Sequence, residues 1–371
     1  MVKYKVLEVI RQGQIGGGES HLLDLVYYLD KDRIEPVCLS FSYGEMILRL
    51  KEMGIKCYVI ETKRPFDWNV QHKIIELMTN LKIQIVHAHG SRAASNVIYP
   101  TKKLNLPLVY TVHGWSFHDD QSFPAKKLRA WSEKLICHYA SQVICVSASN
   151  KETGSKTFGL KSAIVIENGV NLDRFNPESR FKEMRAEFGF APDDFVVGFI
   201  ARCTKQKNPL VYLDSIRIAH DQNPKIKGLF IGEGDMDNEV DAYIRFHKMY
   251  DFVYRSPFRT DVPDLLNCID VYCLPSLWEG LSIALLEAMA MRKAIIATPT
   301  DGTKELINHE RSGIIVPFDN SAAISNAVMR FYEDKPLMKS CSYAARSFVA
   351  TRFNAKRVAN SVLEIYSKLC E

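Results

Sequence analysis

Residues 271–297 read VYCLPSLWEGLSIALLEAMAMRKAIIA. The short apolar runs Val271–Leu274 and Ala294–Ala297 are typical of strands, and the stretch between them, Ile283–Met291, is helical in length and composition. A strand, a helix and a second strand in this order form a βαβ unit, whose two strands lie parallel in one sheet. Strands covered on both faces are continuous in Val, Ile and Leu instead of alternating with polar residues.

The same alternation runs through the chain on both sides of a break at about 171–194. That break contains turn chemistry, Asn171–Pro177, followed by one charged stretch that we expect to be helical. Two doubly wound α/β domains, 1–180 and 181–352, are therefore predicted. Their strands are expected at Lys5–Ile10, Pro36–Phe41, Lys56–Ile60, Gln84–Ala88, Leu108–Val112, Gln142–Val146 and Ala163–Ile166, and then at Phe195–Ala201, Lys227–Ile231, Phe252–Tyr254, Val271–Leu274, Ala294–Ala297 and Ile314–Val316.

Composition limits the classes of protein that this chain can be. It has 371 residues, 47% hydrophobic and 25% charged, which excludes a disordered chain or a fibre. No apolar run reaches the roughly 18 residues of a membrane span, and the start runs directly into a strand, so no signal peptide is expected. The nine cysteines contain no Cys-x-x-Cys pair, which favours reduced thiols and a cytoplasmic location.

The net charge of +5 is unevenly distributed. Residues 1–180 contain 24 Lys and Arg against 18 Asp and Glu, a balance of +6, and the remainder contains 24 against 25, a balance of −1. The basic half favours an anionic partner such as a phospholipid surface or a phosphorylated acceptor, and a solvated surface is the alternative. Because no basic run is interleaved with aromatics, no nucleic acid is expected.

Two features of the first domain suggest ligand contacts. Gly16, Gly17 and Gly18 follow the first strand and precede the first helix, where glycines allow unusual backbone angles and helix-start amides suit a phosphate. His113 follows the strand Leu108–Val112, where its ring can donate to a sugar hydroxyl or take a proton. Turns without a ligand remain the alternative for both.

Two pairs of residues give only a weak sequence signal for a metal site. His87 and His89 share one face of a strand end, but the sequence indicates no third ligand. Asp235 and Asp237 form an Asp-x-Asp that can hold a divalent cation, but they also look like acids in the first turn of a helix. We therefore expect no metal site.

The second domain carries a cationic and an acidic motif. Arg202 follows its first strand and Lys207 lies five residues on, so the two cations can neutralise a diphosphate, unless they are only surface charges. Glu279, Gly280, Leu281 and Ser282 precede a helix, with Ser282 as its N-cap. Glu287 lies about 7 Å further along that helix axis at 1.5 Å per residue. Amides at the helix tip suit a phosphate, and the two carboxylates suit sugar hydroxyls.

This constellation resembles the family-4 retaining glycosyltransferases of the GT-B fold over nearly the whole chain. Arg202-x4-Lys207 resembles the phosphate-binding pair of that family, and Pro275–Ala290 matches its Glu-x7-Glu signature. Weaker markers follow in the family's order: Gly16-Gly17-Gly18-Glu19, His113-Gly114, Val146-Ser147, Asn168-Gly169-Val170, Ala297-Thr298, Gly302, Glu305, Gly313 and Val316-Pro317.

The resemblance implies two Rossmann-like domains facing each other across a cleft, with a C-terminal helix, 353–371, packing back on the first. It implies a metal-independent hexosyltransferase without cofactor, which moves a sugar from a UDP- or GDP-sugar to a glycan or lipid-linked acceptor in surface polysaccharide synthesis. The enzyme would be cytoplasmic, with peripheral contact to an anionic membrane at its inner face.

The resemblance also implies roles for individual residues. Arg202 and Lys207 would stabilise the leaving diphosphate, while Glu279 and Glu287 would bind the donor sugar and the ribose. His113 would touch the donor sugar, and the remaining substrate-binding positions would be Gly16, Gly17, Gly280, Leu281 and Ser282.

The chain departs from the family at Met291–Ala294, where Gly and Pro are frequent, and at Asp301-Gly302, which replaces a double glycine. Both departures lie where donor-sugar recognition is tuned. Two alternatives remain open: a sugar-nucleotide isomerase or epimerase in the same fold, and a non-catalytic protein that binds sugar nucleotides.

Overall fold

The computed structural model describes residues 3–117 and 121–370. The chain divides into two compact units. Unit 1 runs to Gly169 and resumes at Ala355, and unit 2 is Val170–Asn354. The sequence-based boundaries were 180 and 352.

Unit 1 contains one parallel sheet of seven strands in the order β3-β2-β1-β4-β5-β6-β7. The order reverses beside β1, which is the doubly wound topology expected from the sequence. The strands are β1 (Tyr4–Ile10), β2 (Ile34–Ser40), β3 (Lys56–Val59), β4 (Ile85–His89), β5 (Leu108–Val112), β6 (Gln142–Cys145) and β7 (Ile164–Val165), and the helices are α1 (Gly17–Tyr28), α2 (Glu45–Glu52), α3 (Trp68–Leu81), α4 (Ser91–Leu104), α5 (Phe123–Tyr139) and α6 (Ala148–Phe158).

Unit 2 repeats this plan with six parallel strands in the order β10-β9-β8-β11-β12-β13. Its strands are β8 (Phe195–Ile200), β9 (Ile226–Ile231), β10 (Val253–Ser256), β11 (Val271–Leu274), β12 (Ala294–Ala297) and β13 (Ile314–Ile315), and its helices are α7 (Pro209–Gln222), α8 (Asp237–Phe246), α9 (Val262–Cys268), α10 (Ile283–Ala290), α11 (Asp301–Leu306), α12 (Ser321–Glu333) and α13 (Lys335–Arg352). The two sheets confirm the predicted pair of doubly wound α/β domains.

The central strands are buried on both faces, as their uninterrupted apolar sequences predict. Every residue of β8 is buried, and so is every residue of β5. Apolar side chains of these strands pack against the helices on each side, which is why the strand ends, not their faces, are left to carry ligands.

The last helix, α14 (Ala355–Cys370), belongs to unit 1 although it follows unit 2 in the chain. Val362 and Tyr366 on its apolar face are 1% and 0% exposed, and they pack in one cluster with Val6 of β1 and Leu25 of α1. The 3.6-residue spacing of apolar positions in 355–370 predicts this one-sided burial.

One sequence-based element is wrong. The charged stretch after Pro177 is not a helix but a series of turns. A single turn closes where Phe188 N donates to Met184 O, and Gly189, with φ of +72°, stops it. Within unit 2, the Arg185 side chain instead donates hydrogen bonds to the Cys268 carbonyl and the Asp270 carboxylate.

Candidate functional site

The candidate residues of each unit follow the carboxyl ends of neighbouring strands, where open α/β sheets bind ligands. In unit 1 they follow β1 and β5, which flank β4. In unit 2 they follow β8 and β11, which pair directly.

In unit 2 the structure brings Lys207 and Glu279 together as an ion pair. Their side chains are only 11% and 9% exposed, and Ser276 Oγ also donates to Glu279 Oε1 at 2.9 Å. The two loops are joined through Gln206, whose side chain donates to the Trp278 carbonyl at 2.8 Å. The pair therefore combines a cation for a phosphate with a carboxylate for hydroxyl groups at one strand edge.

Arg202 lies exposed at the end of β8. Within the described ranges, its guanidinium makes no hydrogen bond or ion pair to another residue. Its loop packs backbone to backbone against the Gly232–Gly234 loop that follows β9. The approach is so close that a Cβ at Gly232 would overlap the Ala201 carbonyl oxygen, and a Cβ at Gly234 would overlap that of Cys203. Arg202 is thus a cation on a well-fixed loop whose donors remain available to an anion.

The N-terminus of α10 has the cap that the sequence predicted. Ser282 Oγ accepts a hydrogen bond from Leu285 N at 3.4 Å, and Leu281 is 3% exposed. Glu287 lies half-buried on the flank of α10. Burial raises the pKa of the Tyr272 hydroxyl well above its usual value, and the charges of Glu287 and Glu279 raise it further.

A further glycine fixes the signature loop. Gly302 is the second residue of α11, and a Cβ there would overlap the carbonyl oxygen of Gly280. Thr300 caps α11 by accepting from Thr303 N. The Asp301-Gly302 departure therefore keeps the one glycine that lets α11 approach the Gly280 backbone.

The Asp-x-Asp candidate has a structural role in this fold. Asp237 begins α8, accepts a hydrogen bond from Gly234 N at 3.0 Å and pairs with Arg255 at 2.6 Å. Among the described residues, the groups of three ligands close enough to share a metal ion include neither Asp235 nor Asp237.

In unit 1, Gly16 is the N-cap of α1 and Gly17 its first residue. The unusual backbone angles expected of this loop are not found: Gly16 is extended, at φ −146°, and Gly17 and Gly18 are not among the described residues with positive φ. What glycine provides here is space. Among the residues that the structure describes, a Cβ at Gly17 would meet nothing within 4 Å, and one at Gly18 would lie 3.5 Å from the His113 ring.

His113 belongs to a cluster that we call the histidine network, formed by Glu8, His87, His89, His113 and Tyr366. His89 lies at its centre, with Nε2 2.9 Å from Glu8 Oε2 and Nδ1 3.2 Å from His113 Nε2. Tyr366 of α14 donates to Glu8 Oε1 at 2.7 Å, and its oxygen lies 2.5 Å from His87 Nδ1. Thr111 Oγ1 completes the set at 2.7 Å from His87 Nε2.

Two rings of this network, His87 and His113, are held neutral by their surroundings. Burial lowers the pKa of His87 and of His113 well below the usual range, and the neighbouring histidines lower both further. Burial also lowers the pKa of His21, whose ring lies edge-on to His113, to about 3. A neutral imidazole has one donor and one acceptor nitrogen, and the Nδ1 of His113 is buried without a hydrogen-bond partner in the described part of the chain.

Sequence reasoning missed most of this cluster. It placed His87 and His89 on one face, and their ring centroids are 4.1 Å apart, but it indicated no third ligand. The structure places Glu8 with that pair, and His21 with His89 and His113, with ligand atoms within 4.8 Å in each group. A charged residue inside the apolar run of β1 was the available signal, since a buried carboxylate requires partners.

A second buried acid supports the His113 turn. Glu133 of α5 is fully buried and accepts hydrogen bonds from Tyr110 Oη at 2.8 Å and from Ser116 N at 3.0 Å. It thereby ties the end of β5 to the residues just after His113. In the sequence it was an ordinary charge on an amphipathic helix.

Comparison with known families now adds to this geometry. A model of glycosyltransferase family 4 matches residues 15–174, and a model of the glycosyl transferases group 1 matches residues 180–348. The first match contains the glycine loop and His113, and the second contains Arg202, Lys207, Glu279 and Glu287.

Similar curated proteins transfer sugars to lipid-linked acceptors, as their names state. The UDP-Gal:alpha-D-GlcNAc-diphosphoundecaprenol alpha-1,3-galactosyltransferase of Escherichia coli is 25% identical over 79% of this chain and 77% of its own length. The N,N'-diacetylbacillosaminyl-diphospho-undecaprenol alpha-1,3-N-acetylgalactosaminyltransferase of Campylobacter jejuni is 26% identical over 91% of this chain and 93% of its own.

Among solved structures, Anabaena Alr3699/HepE in complex with UDP and glucose has a TM-score of 0.86 at 22% identity, covering 98% of this chain and 99% of that one. At this identity the likeness concerns the fold, and it agrees with the two Rossmann-like domains described above. Within the described residues, no helix is long and apolar enough to span a bilayer.

Proposed function

Because this chain belongs to the family-4 glycosyltransferases, we propose that it transfers a hexose from a UDP- or GDP-sugar to a lipid-linked or glycan acceptor. The family matches and the named relatives support the general activity, that of a glycosyltransferase that uses a nucleotide sugar. We further propose that the transfer retains the anomeric configuration, requires no metal ion and serves surface polysaccharide synthesis.

The observation that carries this proposal is the Lys207–Glu279 pair beside the N-terminus of α10. When the donor bond breaks, negative charge develops on the leaving diphosphate. Lys207 and Arg202, whose guanidinium has no ion pair among residues 3–117 and 121–370, are two cations that stabilise this charge, together with the partial positive charge at the start of α10. Glu279 and Glu287 then accept hydrogen bonds from sugar and ribose hydroxyls.

The proposed chemistry needs no protein nucleophile. The bond between the anomeric carbon and the diphosphate oxygen breaks, and its electron pair leaves with the diphosphate. The acceptor oxygen attacks the same face, and its proton passes to an oxygen of the departing phosphate. The protein contributes charge stabilisation and orientation, which account for much of enzymatic rate enhancement. In this proposal no metal takes the place of Arg202 and Lys207.

A lipid-linked acceptor is supported by the names of the relatives and by the surface of α5. Phe123, Leu128 and Trp131 are 69%, 66% and 59% exposed, and Lys127 and Lys134 are exposed on the same helix. Exposed aromatic and aliphatic side chains beside lysines suit the interface of an anionic bilayer. We assign to α5 the peripheral contact with the inner, cytoplasmic face of the membrane.

The function is tested by incubating the protein with a panel of UDP- and GDP-sugars and a synthetic polyprenyl-diphosphate GlcNAc acceptor. We expect one donor to give a disaccharide product with the anomeric configuration of the donor, measured by NMR, at rates unchanged by excess EDTA. Loss of transfer in EDTA, restored by magnesium or manganese, would show a metal requirement.

The same panel separates the two alternatives. Epimerised nucleotide sugar formed without acceptor indicates an isomerase. Thermal stabilisation by a nucleotide sugar, with no turnover on any acceptor, indicates a binding protein. A good donor at 100 times its Kd raises the free energy of unfolding by about 2.7 kcal/mol, so binding is detectable without turnover.

The membrane contact is tested by sedimentation with vesicles of phosphatidylglycerol or phosphatidylcholine. We expect binding to the anionic vesicles only, lost in the double variant Leu128→Asp and Trp131→Ser. Phe246→Ser is the matched control, because Phe246 is 81% exposed on α8 of unit 2. Equal loss in the control would mean that α5 has no special role.

A further inference from the structure

The histidine network has an order of donors and acceptors that can be derived from one end. Glu8 is fully buried, and carboxylate oxygens accept hydrogen bonds. Its Oε1 accepts from Tyr366, which remains a phenol because burial, and then the charge of Glu8, raises the pKa of its hydroxyl well above the usual value. Its Oε2 faces His89 Nε2 at 2.9 Å, so that nitrogen carries a hydrogen.

The assignment then passes from ring to ring. With its one hydrogen placed on Nε2, the His89 ring has a lone pair on Nδ1. That lone pair lies 3.2 Å from His113 Nε2, so His113 donates and carries its own hydrogen on Nε2. Since burial keeps His113 neutral, its Nδ1 is left as an acceptor. This is the nitrogen that has no partner among residues 3–117 and 121–370.

His87 belongs to the same network but makes no hydrogen bond to His113. Its Nδ1 donates to Tyr366, and its Nε2 accepts from Thr111. Every polar atom between Tyr366 and His89 therefore has a complementary partner, and the unmatched acceptor is at the His113 end. A buried acceptor without a hydrogen bond is unfavourable, so a bound ligand that donates an O–H there is favoured.

We propose that Glu8 and His89 are positioning residues that hold His113 in the Nε2–H tautomer, so that its Nδ1 accepts a hydrogen bond from a hydroxyl of the donor sugar. The choice of hydroxyl as ligand rests on the proposed function, whereas the tautomer does not. Of the two roles that the sequence allowed for His113, donor or acceptor, the network selects the acceptor. A ligand group that only accepts, such as a phosphate oxygen, is disfavoured at this nitrogen.

Two substitutions at His89 separate the two halves of the chain of hydrogen bonds. An Asn amide stands at the position of the ring's Nδ1, so His89→Asn keeps an oxygen acceptor for His113 and loses Glu8. A Gln amide reaches the position of Nε2, so His89→Gln keeps the contact to Glu8 and loses His113. His87→Asn and His87→Gln are matched controls, because His87 is equally buried in the same strand and does not contact His113.

The first measurement is steady-state kinetics with the donor that gives the highest turnover in the panel. We expect kcat to fall at least about tenfold in His89→Gln, since a wrong tautomer disables a site histidine. We expect kcat within about threefold of the wild type in His89→Asn and in both His87 controls. UDP affinity should be unchanged in all four. Equal losses of kcat in His89→Asn and His89→Gln would mean that His89 is only a structural residue.

The second measurement observes the tautomer directly and needs no substrate. Protein labelled with ¹⁵N-histidine is examined at pH 8 by long-range ¹H–¹⁵N correlation, with the His113 signals identified by their absence in His113→Asn. We expect the Nε2–H tautomer in the wild type and both His87 controls, and loss of that preference in His89→Gln. An Nδ1–H tautomer or a doubly protonated ring in the wild type would overturn the proposal.

The kinetic and the NMR measurement together distinguish which part of the proposal is wrong. The expected tautomer combined with unchanged kcat in His89→Gln would refute the role in sugar recognition and leave the network assignment intact. Stoichiometric zinc in purified protein, bound through His21, His89 and His113, would refute the assignment itself, because a metal on His89 Nδ1 displaces the His113 hydrogen.

Discussion

Arg202 and Lys207 carry similar charges in different surroundings. Arg202 is exposed and makes no ion pair in the described part of the chain, whereas Lys207 is paired with Glu279 and mostly buried. The first is held in place by its loop, and the second by a carboxylate. Removing them should therefore have the same effect on chemistry and different effects on stability.

We expect Arg202→Ala and Lys207→Ala each to lower turnover about 10²-fold, the usual scale for losing one charge-stabilising donor. Lys207→Ala should also lower the Tm, because it leaves Glu279 a poorly solvated carboxylate without its cation. Lys205→Ala, an exposed cation of the same turn, is the control for both measurements. Near-wild-type turnover in both variants would remove these cations from the site.

The low pKa of His21 predicts how the free energy of unfolding responds to acid. Its pKa is about 3 in the folded protein against 6.5 for a free ring, so below pH 6.5 the unfolded chain binds a proton that the folded chain does not. Its contribution is complete above pH 6.5 and is lost as the pH falls toward 3. From pH 7 to pH 5 the free energy of unfolding should decrease by about 2 kcal/mol on account of this residue.

The measurement is urea unfolding followed by tryptophan fluorescence at both pH values, since Trp68, Trp115 and Trp131 all lie in unit 1. In His21→Asn the decrease between pH 7 and pH 5 should be smaller than in the wild type by that amount. His72→Asn, at an exposed position of α3, should respond like the wild type. An unchanged pH response in His21→Asn would mean that His21 is not held neutral.

Among the elements, α11 is short but positions the signature loop. Its second residue, Gly302, allows contact with the Gly280 backbone, so Gly302→Ala must displace one of the two. We expect UDP affinity and turnover both to fall, because Glu279 and the start of α10 move with Gly280. Calorimetry with UDP and a transfer assay measure this, with Lys304→Ala on the exposed side of α11 as the control. Normal affinity in Gly302→Ala would show that the loop tolerates the shift.

Elements were predictable from sequence where one physical rule dominates. The apolar runs of β5, β11 and β12 have the bounds that the sequence indicated, because strands buried on both faces leave no polar alternation to misread. The stretch after Pro177 was misread because its charges are compatible with a helix, while the contacts of Arg185 that override local propensity lie more than 80 residues away.

The site follows the same division. Arg202 and Lys207 share one local motif and Glu279 lies in another, 72 residues from Lys207, and it was the resemblance to a known family that grouped the two motifs. The histidine network was not accessible in this way, since Glu8 is 81 residues from His89 and 358 from Tyr366. Sequence shows which residues can donate or accept, but only the sheet order and α14 bring these particular partners together.

On the scale of the whole molecule, α14 closes unit 1 with residues from the far end of the chain. A variant ending at Asn354 should keep unit 2 folded and able to bind UDP, because residues 170–354 form a compact unit of their own. Unit 1 should lose protection, since the apolar surface around Val6 and Leu25 becomes exposed and Glu8 loses Tyr366. Hydrogen exchange of the β1 and β4 amides measures the loss, and full protection of those amides would contradict it.

The position of α14 also sets the order in which the two units can mature during translation. Unit 2 is continuous in the chain, so every residue it needs leaves the ribosome before α14 does. Unit 1 starts first and is completed last, when the residues around Val362 and Tyr366 emerge from the exit tunnel and cover the sheet. Until then a nascent chain exposes an apolar groove of the kind that chaperones bind. A product terminated before α14 keeps this apolar surface exposed, so chaperones can distinguish it from the full chain.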